Sequence, residues 1–155
     1  MYRDILIPTD GSALSEMAIE YGVALAKATN AKVTALTVSA PFNGLSLAPG
    51  IVLNREQYRE QTADLAAKHL SAAKDAAAAA NVTCDLLHVE HDHPYRAIID
   101  TAKEKGCDVI VMASHGRRGV AALVLGSETL KVLTHSSIPV LVFRGQRPSA
   151  FFVAS

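Results

Sequence analysis

The residues best suited to chemistry form one run, Ala113-Ser114-His115-Gly116-Arg117-Arg118-Gly119, joined after a short apolar stretch by Gly126-Ser127-Glu128-Thr129. Glycines that follow a buried strand let the backbone approach a ligand closely. Gly126-Ser127 opens a helical pattern, and a helix N-terminus with unpaired amides and a hydroxyl is a natural seat for phosphate. Arg117 and Arg118 could add charge to it. Glycine-rich loops also serve as plain turns, so the run alone leaves both readings open.

Other chemistries are excluded more firmly. The sequence has no Gly-x-x-x-x-Gly-Lys-Ser/Thr, no Gly-x-Gly-x-x-Gly after the first strand and no Ser-Gly-Gly-x-Asp-Ser loop, which removes standard P-loop NTPases and nicotinamide dehydrogenases. No Gly-x-Ser-x-Gly elbow is present, and no nucleophile stands beside a base. His88, His91 and His93 with Glu90 and Asp92 have the side chains a metal would take. Strand alternation divides them between two faces and leaves only His91, Asp92 and His93 able to converge, so a solvated turn is the better reading. His69 and His135 stand apart and read as surface or helix-end residues.

These loops need elements to hold them. Asp4 to Thr9 is an apolar run stopped by Asp10-Gly11-Ser12, as a strand buried on both faces would be. Leu14, Met17, Ala18, Tyr21, Leu25 and Ala28 then recur at helical spacing, with Ser12 as N-cap and Asn30 as the end. Lys32 to Val38 is a β-branched strand, and Ser39 to Asn54 is a long loop with two prolines and two glycines, either a lid or a disordered segment. Arg55 to Ala80 has high helix propensity throughout. Strands at Asp85 to Val89, Asp108 to Met112 and Ile138 to Phe143 alternate with helices at Pro94 to Lys105 and Ser127 to His135, with Gly106 at the first helix's C′ position. Strict alternation implies a parallel sheet with right-handed crossovers and helices on both faces. With the first strand central and the order 3-2-1-4-5, the winding reverses between strands 1 and 4, and ligands gather beyond their carboxyl ends. Pro8 to Ser12 and Ala113 to Ser127 lie there.

The chain has 155 residues, half of them apolar, which suits one domain. Fifteen Lys and Arg balance fifteen Asp and Glu, so there is no global field to attract nucleic acid or anionic membrane. Met1-Tyr2-Arg3-Asp4 lacks a signal-peptide pattern and no apolar run approaches a membrane span, which reads as cytoplasmic. Cys84 and Cys107 are not spaced as a redox or zinc pair and read as packed thiols. The last strand would be an edge, and Val140-Leu141-Val142-Phe143 is too apolar to leave bare. A second copy pairing there about a twofold axis, through Pro139 to Phe143, would cover it.

Taken together, Ile-Pro-Thr-Asp-Gly-Ser at Ile7 to Ser12, the spacing Gly116-x9-Gly126-Ser127 and His-Ser-Ser-Ile-Pro-Val-Leu-Val at His135 to Val142 resemble the universal stress protein family across nearly the whole chain. That family's ATP-binding motif is Gly-x2-Gly-x9-Gly-Ser/Thr. Here alanine stands first, as Ala113-x2-Gly116-x9-Gly126-Ser127.

The resemblance implies a five-stranded, Rossmann-like three-layer sandwich of the adenine nucleotide alpha hydrolase-like kind, spanning residues 1–145, with a tail at 146–155. It implies that Pro8, Thr9 and Asp10 flank adenosine, with the Asp10 carboxylate on ribose hydroxyls or on a Mg2+ or Mn2+ ion carried by the phosphates. Val38 would pair its backbone with adenine, and Met112 and Ala113 would line base and ribose. His115, Gly116 and Arg117 would lie at the phosphates, with amides and hydroxyls from Gly126, Ser127, Glu128 and Thr129. The ligand would be ATP, with ADP or AMP as alternatives, and the expected function is a homodimeric stress-response or signalling module with little turnover. A slow ATPase or self-phosphorylating protein, and an interaction module with an empty pocket, are the rival readings. Phe151, Phe152 and Val153 of the tail either pack across the dimer interface or form a disordered end.

Overall fold

The computed structural model describes residues 1–44, 54–116 and 125–145. Arg117, the 45–53 part of the long loop and the tail lie outside the described residues. In chain order the elements are β1 (Asp4–Pro8), α1 (Ala13–Thr29), β2 (Lys32–Ser39), α2 (Arg55–Ala80), β3 (Cys84–Glu90), α3 (Pro94–Lys105), β4 (Val109–Ala113), α4 (Ser127–His135) and β5 (Val140–Phe143). The five strands form one parallel sheet in the order β3-β2-β1-β4-β5, as the alternation requires.

Side chains of the central strands alternate between two buried layers. Ile5, Ile7, Val33, Ala35, Val109 and Val111 meet α1 and α2 through Ile19, Val23, Ala26, Leu70, Ala73 and Ala77. Leu6, Leu36, Ile110 and Met112 meet α3 and α4 through Ile98, Ile99, Ala102 and Val132. Burial of each Val, Leu, Ile or Met among these contributes about 1.5–3 kcal/mol, and of each alanine methyl under about 1 kcal/mol. The alanine run of α2 therefore has a packing role: Ala73 and Ala77 are buried and Ala72, Ala76 and Ala80 flank them.

Local chemistry sets the boundaries. Ser12 caps α1 by accepting from the Ser15 N–H, and Asn54 and Gln57 form a reciprocal capping box on α2. Asn30, Asn81 and Gly106 take the left-handed conformation that ends α1, α2 and α3. β4 starts one residue later than its apolar pattern suggests because the Asp108 carboxylate instead accepts from the Arg3 and Asp4 amides, at 2.9 and 3.3 Å. β5 likewise starts at Val140, since Ser136 Oγ accepts from the Ile138 N–H and donates to its carbonyl.

The amino end of the sheet holds a buried polar cluster remote from the loops of interest. Asp4 accepts from the Thr34 hydroxyl at 3.0 Å and pairs with Lys32 Nζ at 2.9 Å, and Lys32 also reaches Asp85 at 3.5 Å. Burial pushes the neighbouring Cys107 thiol up to about 12, with the negative charge of Asp4 acting in the same direction. No described helix is long and apolar enough to cross a membrane.

Candidate functional site

The carboxyl ends of β1 and β4 flank the point where the winding reverses, and each runs into a turn locked by its own side chains. After β1 the Thr9 N–H donates to the Leu36 carbonyl at 2.8 Å, which holds the strand end against β2. Thr9 Oγ1 lies 3.0 Å from Ser15 Oγ and accepts from the Gly11 N–H, while Asp10 Oδ1 accepts from the Ser12 N–H at 3.0 Å. This is an Asx turn, and Asp at its first position supplies the bond that stabilises it. Gly11 is left-handed at φ +73°, and a methyl there would strike the His69 ring of α2. His69, read from the sequence as isolated, is thus packed under the turn that carries Asp10.

After β4 two hydrogen bonds pin the ends of the glycine-containing loop. The Ser114 N–H donates to the Phe143 carbonyl at 2.8 Å, and the Gly126 N–H donates to the Ser114 carbonyl at 2.7 Å. Gly126 passes so close that a Cβ would lie 3.1 Å from the Cα of His115. Thr129 Oγ1, buried, donates to the Ala113 carbonyl at 3.0 Å. The Gly126 N–H and the Thr129 hydroxyl proton are thus both engaged within the wall of the cleft. The amides of Ser127, Glu128 and Thr129 precede the first helical bond of α4, made by Leu130 to Gly126.

Between these turns lies a cleft of about 520 Å³, within the range of small-molecule sites. Every sequence-predicted site residue that is described lines it: Pro8, Thr9, Asp10, Val38, Met112, Ala113, His115, Gly116, Gly126, Ser127, Glu128 and Thr129. Four further lining residues, Ser15, Leu36, Pro94 and Ile98, carry no motif, and only the three-dimensional course of α1, β2 and α3 brings them here. Leu36, Val38, Ile98 and Met112 of the lining pack together as one apolar cluster, suited to a flat ring. Among the polar lining residues Asp10 lies against the backbone of Gly116, and His115 Nδ1 lies 3.1 Å from Ser114 Oγ.

Ala113 sits in β4 with no positive φ, so the alanine is unstrained. Its methyl packs with Ala18 and Phe143 on the α1 side. At the histidine-rich turn, the His93 N–H donates to His91 Nδ1 at 2.8 Å and His88 Nε2 lies 2.7 Å from Ser39 Oγ. Among the described residues no three His, Cys, Asp or Glu side chains stand together as a metal would need.

The universal stress protein family model matches residues 1–144. The chain belongs to the universal stress protein family. Universal stress protein YxiE of Bacillus subtilis is 34% identical over 150 residues, covering 93% of this chain and 100% of that one. Universal stress protein MJ0531 of Methanocaldococcus jannaschii is 30% identical over 148 residues, covering 93% and 83%. Among solved structures, protein MJ0577 superposes with a TM-score of 0.77 at 26% identity, covering 96% of this chain and 99% of that one. A universal stress protein solved in complex with cAMP superposes with a TM-score of 0.66 at 25% identity, covering 94% and 98%. The universal stress protein fold is thus shared along almost the full length of both chains in each case.

Proposed function

We propose that this universal stress protein binds an adenine nucleotide, ATP with Mg2+ or Mn2+ first among them, in the cleft between β1 and β4. The observation that carries the reading is that one cleft is lined by the apolar cluster of Leu36, Val38, Ile98 and Met112, by Asp10 against the backbone of Gly116, and by the first turn of α4. Adenine enters beside Leu36, Val38 and Ile98, and the ribose meets Asp10. The phosphates reach Gly116 and the amides of Ser127 and Glu128, where the helix dipole favours an anion. The carboxylate of Asp10 is a hard oxygen donor that suits a divalent cation carried by the phosphates. The structural relative in complex with cAMP supports an adenine ring as ligand.

Binding without efficient turnover is the expected activity, since a sensor needs occupancy alone and the cleft carries no lysine in its described lining. The protein acts as a cytoplasmic homodimer in stress signalling. β5 pairs with its copy through Pro139 to Phe143, burying Val140, Leu141 and Val142, each only half-buried in a single chain. Leu130 and Leu133 are also exposed, on the helix that leads to β5. Residues 1–145 form the working domain.

Calorimetric titration of nucleotide-stripped protein with ATP and Mg2+ tests the reading. One site per chain, weakened by Asp10→Ala, is expected; no heat of binding for ATP, ADP or AMP would overturn it.

A further inference from the structure

Glu128 is the acidic residue in the first turn of α4, yet its carboxylate serves a different helix. Oε2 accepts from the Tyr95 N–H at 2.9 Å, in the first turn of α3. That helix needs a cap from outside, because its own N-cap residue, His93, makes no side-chain capping bond. One fixed anion thus lies between two helix N-termini, on the wall of the cleft. Its ion pair with Lys131, at 3.3 Å, has side chains 38% and 47% exposed, so solvent weakens the pair and also reduces, without abolishing, the carboxylate's field in the cleft.

We infer that Glu128 is a specificity-determining residue that sets how the cleft discriminates ligands by phosphate charge. The inference rests on the nucleotide reading above. A carboxylate beside the α4 amides opposes each added phosphate charge while still holding α3, so it selects for monophosphates or for polyphosphates neutralised by a divalent cation. The neutral nucleoside, which ends before the phosphate seat, is indifferent to it. Asp10 lines the same cleft, and with it the site presents two carboxylates to a polyphosphate.

Adenosine, AMP and ATP titrated against wild type and Glu128→Gln, with and without Mg2+, test this. The glutamine oxygen keeps the bond to Tyr95 and loses only the charge. In metal-free buffer the ratio of ATP to adenosine affinity should rise about fivefold, the order expected for one charge lining a half-solvated site. AMP should shift less, and Mg2+ should shrink the gain. Glu128→Ala, which loses the cap as well, should melt lower yet raise the same ratio. A ratio within twofold of wild type in both variants overturns the inference alone. A wild type that binds neither adenosine nor ATP overturns the nucleotide reading, and this inference with it.

Discussion

The backbone of Gly116 lies against the carboxylate of Asp10, so that a methyl at 116 would fall on Oδ2. Asp10 is fixed by its Asx turn and Gly116 by the pinned β4 loop, so two segments far apart in sequence meet with no room for a side chain. Gly116→Ala should push the Asp10 carboxylate from its position. ATP affinity should fall at least about tenfold, the cost of losing one charge-assisted contact, with a melting temperature within a few degrees of wild type. Calorimetry and thermal melts check this; unchanged affinity would show that the contact is incidental.

The alanine at 113 is expected to be neutral for binding. Its methyl packs on Ala18 and Phe143 and its backbone is ordinary strand. Ala113→Gly should cost about 1 kcal/mol of stability from lost packing and added backbone freedom, with ATP affinity within twofold. A large gain in affinity would mean that the methyl obstructs the ligand.

Alkaline pH should destabilise the fold through its other end. The Cys107 thiol ordinarily ionises near 9.0 and burial raises it to about 12, so the unfolded chain loses this proton first. The stability gained by keeping it neutral is full below pH 9 and disappears as pH rises towards 12. Lys32, raised above 10.5 by its hydrogen bond to Asp4, adds stability that is lost in the same direction at higher pH. Melts between about pH 8 and 11 should fall more steeply in wild type than in Cys107→Ala; equal slopes would contradict the assignment.

The edge of β5 predicts self-association. Sedimentation should give roughly twice the chain mass of 16.4 kDa, and Val142→Pro, which removes an edge amide and stiffens the strand, should shift the protein towards monomer. A monomer in wild type would show that the half-buried valines are covered in another way.

Much of this architecture is legible in the sequence because parallel strands buried on both faces appear as unbroken apolar runs, as in Ile5 to Pro8 and Val109 to Ala113. The site loops are legible because glycine and small polar residues follow those runs directly. What stays hidden is what tertiary contact alone decides. His69 has no motif, and its place under Gly11 depends on how α2 crosses α1. Pro94 and Ile98 reach the cleft only because α3 packs beside α4. The hydrogen bonds that occupy the Gly126 amide and the Thr129 hydroxyl are also invisible in one dimension.

Nucleotide binding is tested most directly by titrating MgATP into nucleotide-stripped wild type and Gly116→Ala in parallel. One site per chain in wild type, with affinity at least about tenfold weaker in the variant, is the predicted result. Equal binding by the two proteins, or none by either, would contradict a nucleotide site formed where Gly116 meets Asp10.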